Sequence, residues 1–203
     1  MSPTSPPSRI QQKNRAAILE AALDVFSTHG FRGATLDQIA QGAGLSKPNL
    51  LYYFNSKEAV HIALLSELMD IWLDPLRALD AQGHPLQEIE AYMLRKLALS
   101  QTHPRESRLF ANEILQGAPR INPILGTELK DLVDEKAHVI SQWMLSGKLT
   151  SVDPHHLIFS IWALTQHYAD FDVQIRAIIG QTDPFKDAQP FLQSLFRRLL
   201  TPD

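Results

Sequence analysis

The chain has 203 residues, of which 44% are hydrophobic and 20% charged; the net charge is −3 and cysteine is absent. That balance belongs to one or two folded domains and not to a disordered chain. Without cysteine there are no disulfides, thiol nucleophiles, Cys-based zinc fingers or iron–sulfur clusters, and the chain fits a cytoplasmic setting.

Met1–Ser8 is mostly Pro, Ser and Thr. It has no apolar core of the kind a signal peptide needs, so residues 1–10 read as a disordered arm. From Gln11 on, apolar residues recur at spacings of three and four, the period of a helix. Ile18, Ala22, Val25 and Phe26 form one face of a first helix that His29-Gly30 should end. Thr35 caps a short second helix, Leu36 to Ala43, with Gly42 and Gly44 at its end. Ser46 caps a third, Lys47 to Phe54, with Pro48 in the first turn where no amide partner is lost. Ser56 caps a long fourth, from Lys57 to Leu73 or as far as Asp80, with Pro75 placed to end or kink it.

Further helices are expected over Pro85–Thr102, Pro104–Gln116, Ile121–Ser146, Pro154–Gly180 and Pro184–Leu200, giving an all-α fold of about nine helices. No segment alternates with period two, so no sheet is expected. The longest apolar stretch, Leu157–Leu164, is broken by Ser160 and is far short of the ~20 residues of a membrane span.

Charge divides the chain. Up to Val60 there are six basic and four acidic residues, a net +2; the remainder carries −5. A mildly basic three-helix head before an acidic body suits attraction to phosphates. Helices two and three, with a Gly-containing link, match a helix-turn-helix. Leu50 and Phe54 should face its core, leaving Lys47, Asn49, Tyr52 and Tyr53 outward. Asn can pair with adenine, Lys can reach guanine, and a Tyr hydroxyl can bond phosphate. Thr35 and Lys57 would hold the backbone on either side. An ordinary helical hairpin with a solvated face fits the same pattern.

The stretch Ala17-Ile18-Leu19, Phe26, Gly30-Phe31, Thr35-Leu36, Ile39-Ala40, Ala43-Gly44-Leu45-Ser46, Leu50 and Tyr53-Phe54-Asn55-Ser56-Lys57-Glu58 resembles the DNA-binding head of TetR-family regulators. The resemblance implies an all-α homodimer that binds palindromic double-stranded operator DNA and holds a small-molecule effector in its body. By position, Lys47, Pro48 and Asn49 open the recognition helix, Tyr52 and Tyr53 follow, and Lys57 is the phosphate clamp. Pro48 stands where glycine is common and Leu51 where tyrosine is common.

The body resembles a narrower group within that family, the regulators of pyrimidine utilisation that respond to uracil. The segments that carry this include Asp70-Ile71-Trp72-Leu73-Asp74-Pro75, Ser107-Arg108-Leu109-Phe110, Glu113-Ile114, Gly117-Ala118-Pro119 and Thr165-Gln166-His167-Tyr168-Ala169-Asp170-Phe171. On one helix Ile158, Trp162, Gln166 and Ala169 fall on one stripe, an amide among apolar residues. A buried amide needs partners. A uracil edge, N–H beside C=O, matches it; a backbone carbonyl or a dimer seam would serve as well. The resemblance favours an effector pocket of Trp72, Trp162 and Gln166, with Phe110, Glu113, Ile114, Ala118 and Thr165 as further candidates. The alternatives are a regulator for another small apolar or aromatic ligand, or a helical enzyme or adaptor without DNA binding.

His167 and Asp170, at i and i+3, could hold a metal, but no third ligand stands at a suitable spacing. No catalytic or nucleotide fingerprint occurs, so neither metal nor cofactor nor enzymatic role is expected. Leu192, Leu195, Phe196 and Leu199 make the last helix amphipathic, as homodimerisation requires, and the family resemblance implies a four-helix interface formed with the helix from Pro154.

Overall fold

The structure, a computed structural model, describes residues 8–180 and 182–202. Most of the expected arm, residues 1–7, lies outside the described residues. Arg9 and Ile10 are helical: α1 (Arg9–Gly33) starts behind a capping box in which Ser8 and Gln11 exchange side-chain-to-backbone bonds. It buries Ile18, Ala22 and Phe26, and runs past Gly30 across a kink.

Thr35 and Gln38 form a second capping box at α2 (Leu36–Gly42), and Ser46 accepts from the Asn49 amide at α3 (Lys47–Tyr53). The turn between them needs a left-handed residue, and Gly44 supplies it with φ +67°. Ser56 then caps α4 (Lys57–Arg77), which absorbs Pro75 inside its last turn.

α5 (Pro85–Thr102) and α6 (Pro104–Leu115) meet at His103. The helix expected over Ile121–Ser146 is divided: a short α7 (Asn122–Ile124), a π turn (Leu125–Leu129) and α8 (Lys130–Leu145). Pro123 and Gly126 fall at its start, where one removes an amide donor and the other weakens the helix. The helix expected over Pro154–Gly180 also divides, into α9 (Pro154–Asp170) and α10 (Asp172–Ile179), because Phe171 leaves helical angles. α11 (Pro184–Leu200) closes the body. No strand occurs among the described residues.

Two apolar cores result. The head core joins Ile18, Phe26, Ile39 and Leu50 to Val60, Leu65 and Leu68 of α4, and takes in Leu109 of α6 and Ala118 and Ile121 from just beyond it. The body core packs Leu76, Tyr92, Met93, Ile140, Ile158, Leu192 and Phe196. α4 is therefore a spine shared by head and body. Between the two cores it presents Met69, Trp72 and Leu73 to a cavity.

Candidate DNA-reading face and effector cavity

Lys47, Pro48, Asn49, Leu51 and Tyr52 are exposed on α3, while Leu50 and Phe54 are buried beneath them. Lys47 is held 2.9 Å from Asp37 of α2, a surface pair that water weakens and a phosphate or base edge can displace. Tyr52 is 72% exposed, and its hydroxyl accepts a 3.3 Å bond from Gln11. Tyr53 differs from the outward placement expected of it. It is half-buried against the head core, and its hydroxyl accepts from Asn14 at 3.0 Å.

Lys57 also differs. Its ammonium donates to the carbonyls of Phe31 and Ala34, both at 2.7 Å, and lies 4.6 Å from the centre of the Phe31 ring. Two of its three N–H bonds thus fasten the end of α1 to α4. We predict that Lys57→Met lowers head stability by about 1–3 kcal/mol in chemical denaturation, a loss a purely phosphate-binding lysine would not show. Thr35 is exposed, with its hydroxyl committed to the capping box.

In the body, Met69, Trp72 and Leu73 of α4, Lys96 of α5, Phe110 of α6, Leu129 of the π turn, and Trp162 and Gln166 of α9 enclose a narrow chamber of about 50 Å³. Phe110, Leu129, Trp162 and Gln166 are also walls of an outer cleft of about 630 Å³, reached past Ile114, Leu125, Asp170 and Phe171. The two make one crevice with a tight inner end. Two polar groups at its inner end are open. The Gln166 amide has no hydrogen-bond partner among the described residues. The Trp72 indole N–H is buried and unpaired. Trp162, by contrast, gives its N–H to the Tyr92 hydroxyl at 2.6 Å, which fixes the ring; burial pushes that phenol well above its ordinary pKa.

Lys96, unmarked by the sequence reading, is 2% exposed with its ammonium 5.4 Å from the centre of the Trp72 ring. Burial pushes it down to about 7, against the pull of the Asp170 carboxylate. Asp170 accepts from the Ser107 hydroxyl at 2.6 Å, and its carboxyl is raised by burial.

Three effector candidates lie elsewhere. Thr165 is fully buried on the body side of α9, its hydroxyl bonded to the carbonyls of Ile161 and Trp162. Glu113 points away from the cavity and takes Arg120 by its backbone N–H and its guanidinium, each at 2.9 Å. Ala118 sits in the head core with φ +52°; after Gly117 at φ +88° it bonds back to Glu113 O and ends α6. A helix presents its faces at fixed intervals, so Phe110 and Ile114 reach the crevice while Glu113 cannot.

Glu113 instead builds a joint. Arg120 rests 3.5 Å from the centre of the same Phe31 ring that Lys57 touches. His61 of α4 lies edge-on to Phe26 and Phe31. Burial first, then Arg120 and Lys57, hold His61 down at about 4 despite Glu113, so it is neutral at pH 7. α6 thus has one face in the crevice and another bolted to the head.

His167 stacks on Phe171 with centres 4.8 Å apart, and no group of three metal-ligating side chains stands together among the described residues. No described helix is long and apolar enough to cross a membrane.

A capped helix-turn-helix head on a helical body with an internal crevice is the build of a ligand-responsive transcriptional regulator. Residues 18–64 match the bacterial regulatory proteins of the tetR family, and residues 65–203 match the YcdC-like protein C-terminal region. The chain is 53% identical over 175 residues to the HTH-type transcriptional regulator RutR of Escherichia coli (strain K12), covering 86% of this chain and 82% of that protein. It belongs to the TetR family. Its fold is shared by the transcriptional regulator SCO4942 of Streptomyces coelicolor, at a TM-score of 0.74 and 21% identity over 94% of this chain and 99% of that one. AibR, solved with isovaleryl coenzyme A and operator DNA, gives a TM-score of 0.72 and 18% identity over 94% of this chain and all of that one.

Proposed function

We propose that the chain is a repressor and not an enzyme, that it binds a palindromic operator as a homodimer, and that uracil or a close pyrimidine releases it. One observation carries the ligand: an amide without a partner, Gln166, lines a crevice between two tryptophans. An apolar effector would leave that amide unpaired at a cost of about 1–3 kcal/mol, whereas an imide edge satisfies both its C=O and its NH₂. This favours a pyrimidine over a purely apolar ligand.

Release follows from space. The inner chamber, about 50 Å³, is far below the roughly 300–1,000 Å³ of ordinary ligand pockets. A ring seated on Trp72 must part Phe110 and Leu129 from α4. α6 carries that displacement to the head through Leu109 and the Glu113–Arg120–Phe31 joint. The ligand shifts the population of head spacings by as much as it prefers the opened state, typically about 1–3 kcal/mol. A π turn at Leu125–Leu129 is a segment able to repack.

Phe159, Phe191, Leu195 and Leu199 are exposed on α9 and α11, a face for a second copy; Leu192 and Phe196 of the same helix fill the protomer's own core. The dimer would present two α3 helices to half-sites about 34–36 Å apart or a multiple.

Thermal melting with uracil, thymine, cytosine and xanthine tests the ligand. A shift of about 2.7 kcal/mol at 100 times the dissociation constant, confined to uracil and thymine, is expected. No shift with any pyrimidine would move the effector to another class. For the head, Asn49→Ala is expected to relax preference at one operator position, by about 1–3 kcal/mol in a base-substitution series. Lys47→Ala should weaken all sequences alike if it reads phosphate, and one guanine position if it reads a base; unchanged affinity in both variants would remove α3 as the reading helix.

A further inference from the structure

Lys96 stands at the inner end of the crevice with its ammonium over the Trp72 ring and no hydrogen-bond acceptor among the described residues. It is 2% exposed and donates to no described residue. An ammonium in that position costs stability unless an acceptor meets it. The elements packed against α5 supply little. α4 brings Met69, Trp72 and Leu73, and α6 brings Phe110. From α11, Arg197 is paired with Glu90. α9 brings one carboxylate, Asp170, which Ser107 already engages and which Arg108 and His167 also face. A cation with open donors that lines a cavity calls for an acceptor on the ligand.

We propose that Lys96 is the specificity-determining residue of the crevice: its ammonium donates to a ring carbonyl, so the site takes planar heterocycles with a carbonyl beside an N–H and refuses those with an exocyclic amino group there. The proposal rests on the pyrimidine reading above and adds the group that sorts among pyrimidines. Uracil meets Lys96 with an acceptor. Cytosine in the same pose meets it with a second donor, and both groups are left unpaired. Sites built on paired hydrogen bonds discriminate in this way by up to about 10⁴–10⁵.

A proton linkage accompanies it. Burial holds Lys96 near half-charged at neutral pH when no acceptor meets it. A carbonyl acceptor stabilises the charged form, so above pH 7 the bound state holds more protons than the free state. Affinity for neutral uracil then falls as pH rises from 7 to 8.5, by on the order of tenfold.

Isothermal titration of the full chain and of Lys96→Met, at pH 7 and 8.5 and in two buffers of different ionisation enthalpy, tests this. The wild type is expected to prefer uracil to cytosine by on the order of a hundredfold or more, and to take up a fraction of a proton per uracil at pH 8.5. Lys96→Met keeps the aliphatic stem and sheds the desolvated charge. It should melt higher than the wild type without ligand, bind uracil more weakly, lose most of the preference over cytosine, and show no proton uptake. Wild-type affinity, preference and proton uptake in Lys96→Met would overturn the role of Lys96 and leave the pyrimidine reading standing. Failure of the wild type to bind uracil at all would overturn both. If the variant does not fold, the wild-type proton uptake decides: its presence supports the assignment and its absence overturns it.

Discussion

Gln166→Leu should weaken uracil binding by roughly ten- to a hundredfold while leaving operator affinity without ligand nearly unchanged. The side chain is close in volume, so the walls of Trp72, Phe110 and Trp162 keep their packing. What disappears is one donor and one acceptor at the ring edge, worth about 1.4–3 kcal/mol together in a water-poor site. Because the Gln166 amide has no partner among the described residues, its removal leaves no other group orphaned. The thermal midpoint without uracil should therefore hold or rise. Titration calorimetry and a gel shift on the same preparation separate the two effects. Full uracil affinity in this variant would remove Gln166 as the ligand's anchor.

Glu113→Ala should lower stability by about 3–5 kcal/mol, the cost of stranding a buried charge. The carboxylate is 3% exposed, its Arg120 partner 14%, and it accepts both the backbone and the side-chain donors of Arg120. Once it is gone, the guanidinium keeps only the Phe31 ring, and its Nε is already without a partner. Arg120→Ala added to Glu113→Ala should cost much less than the sum of the two, because the second change removes the stranded charge. Urea denaturation of the four proteins measures this. In variants that still fold, uracil should release operator less completely, since α6 is then loosely tied to the head. A loss below about 1 kcal/mol for Glu113→Ala would show that the joint is not a buried ion pair in solution.

Much of the head could be read from sequence because its signals are local. Ser46 and Ser56 begin α3 and α4 as hydroxyl caps do, and Gly44 sits where the turn requires a left-handed residue. The pairing of Gln166 with Trp72 and Trp162 in one cavity was legible from helical spacing and the family resemblance together.

What escaped was set by distant parts of the chain. Lys57 reads as a phosphate clamp in sequence because the carbonyls it holds belong to residues 23 and 26 positions earlier. Glu113 looked like a pocket residue because it neighbours Phe110 and Ile114 in sequence, although it faces Arg120 across the turn at Gly117. Lys96 did leave a signal. On α5 the buried positions are Pro85, Ile89, Glu90, Tyr92, Met93, Lys96, Leu97 and Ser100; Glu90 is paired with Arg197, whereas Lys96 stands in the apolar stripe without an ion-pair partner among the described residues. A charge at a core position of a regular helix with no salt-bridge partner is a mark of function. The breaks at Phe171 and in the π turn had weaker signals, because hydrophobic period continues through them while the packing partner changes.

The measurement that bears most directly on the whole reading is release of bound DNA by uracil. A labelled duplex selected by the purified protein from a random pool would be followed by fluorescence anisotropy as uracil is added, with cytosine as the control. Loss of the bound signal with uracil, absent with cytosine and absent in Gln166→Leu at the same uracil concentration, is the predicted result. Tight operator binding that uracil leaves unchanged, with protein and ligand both in excess, would contradict it.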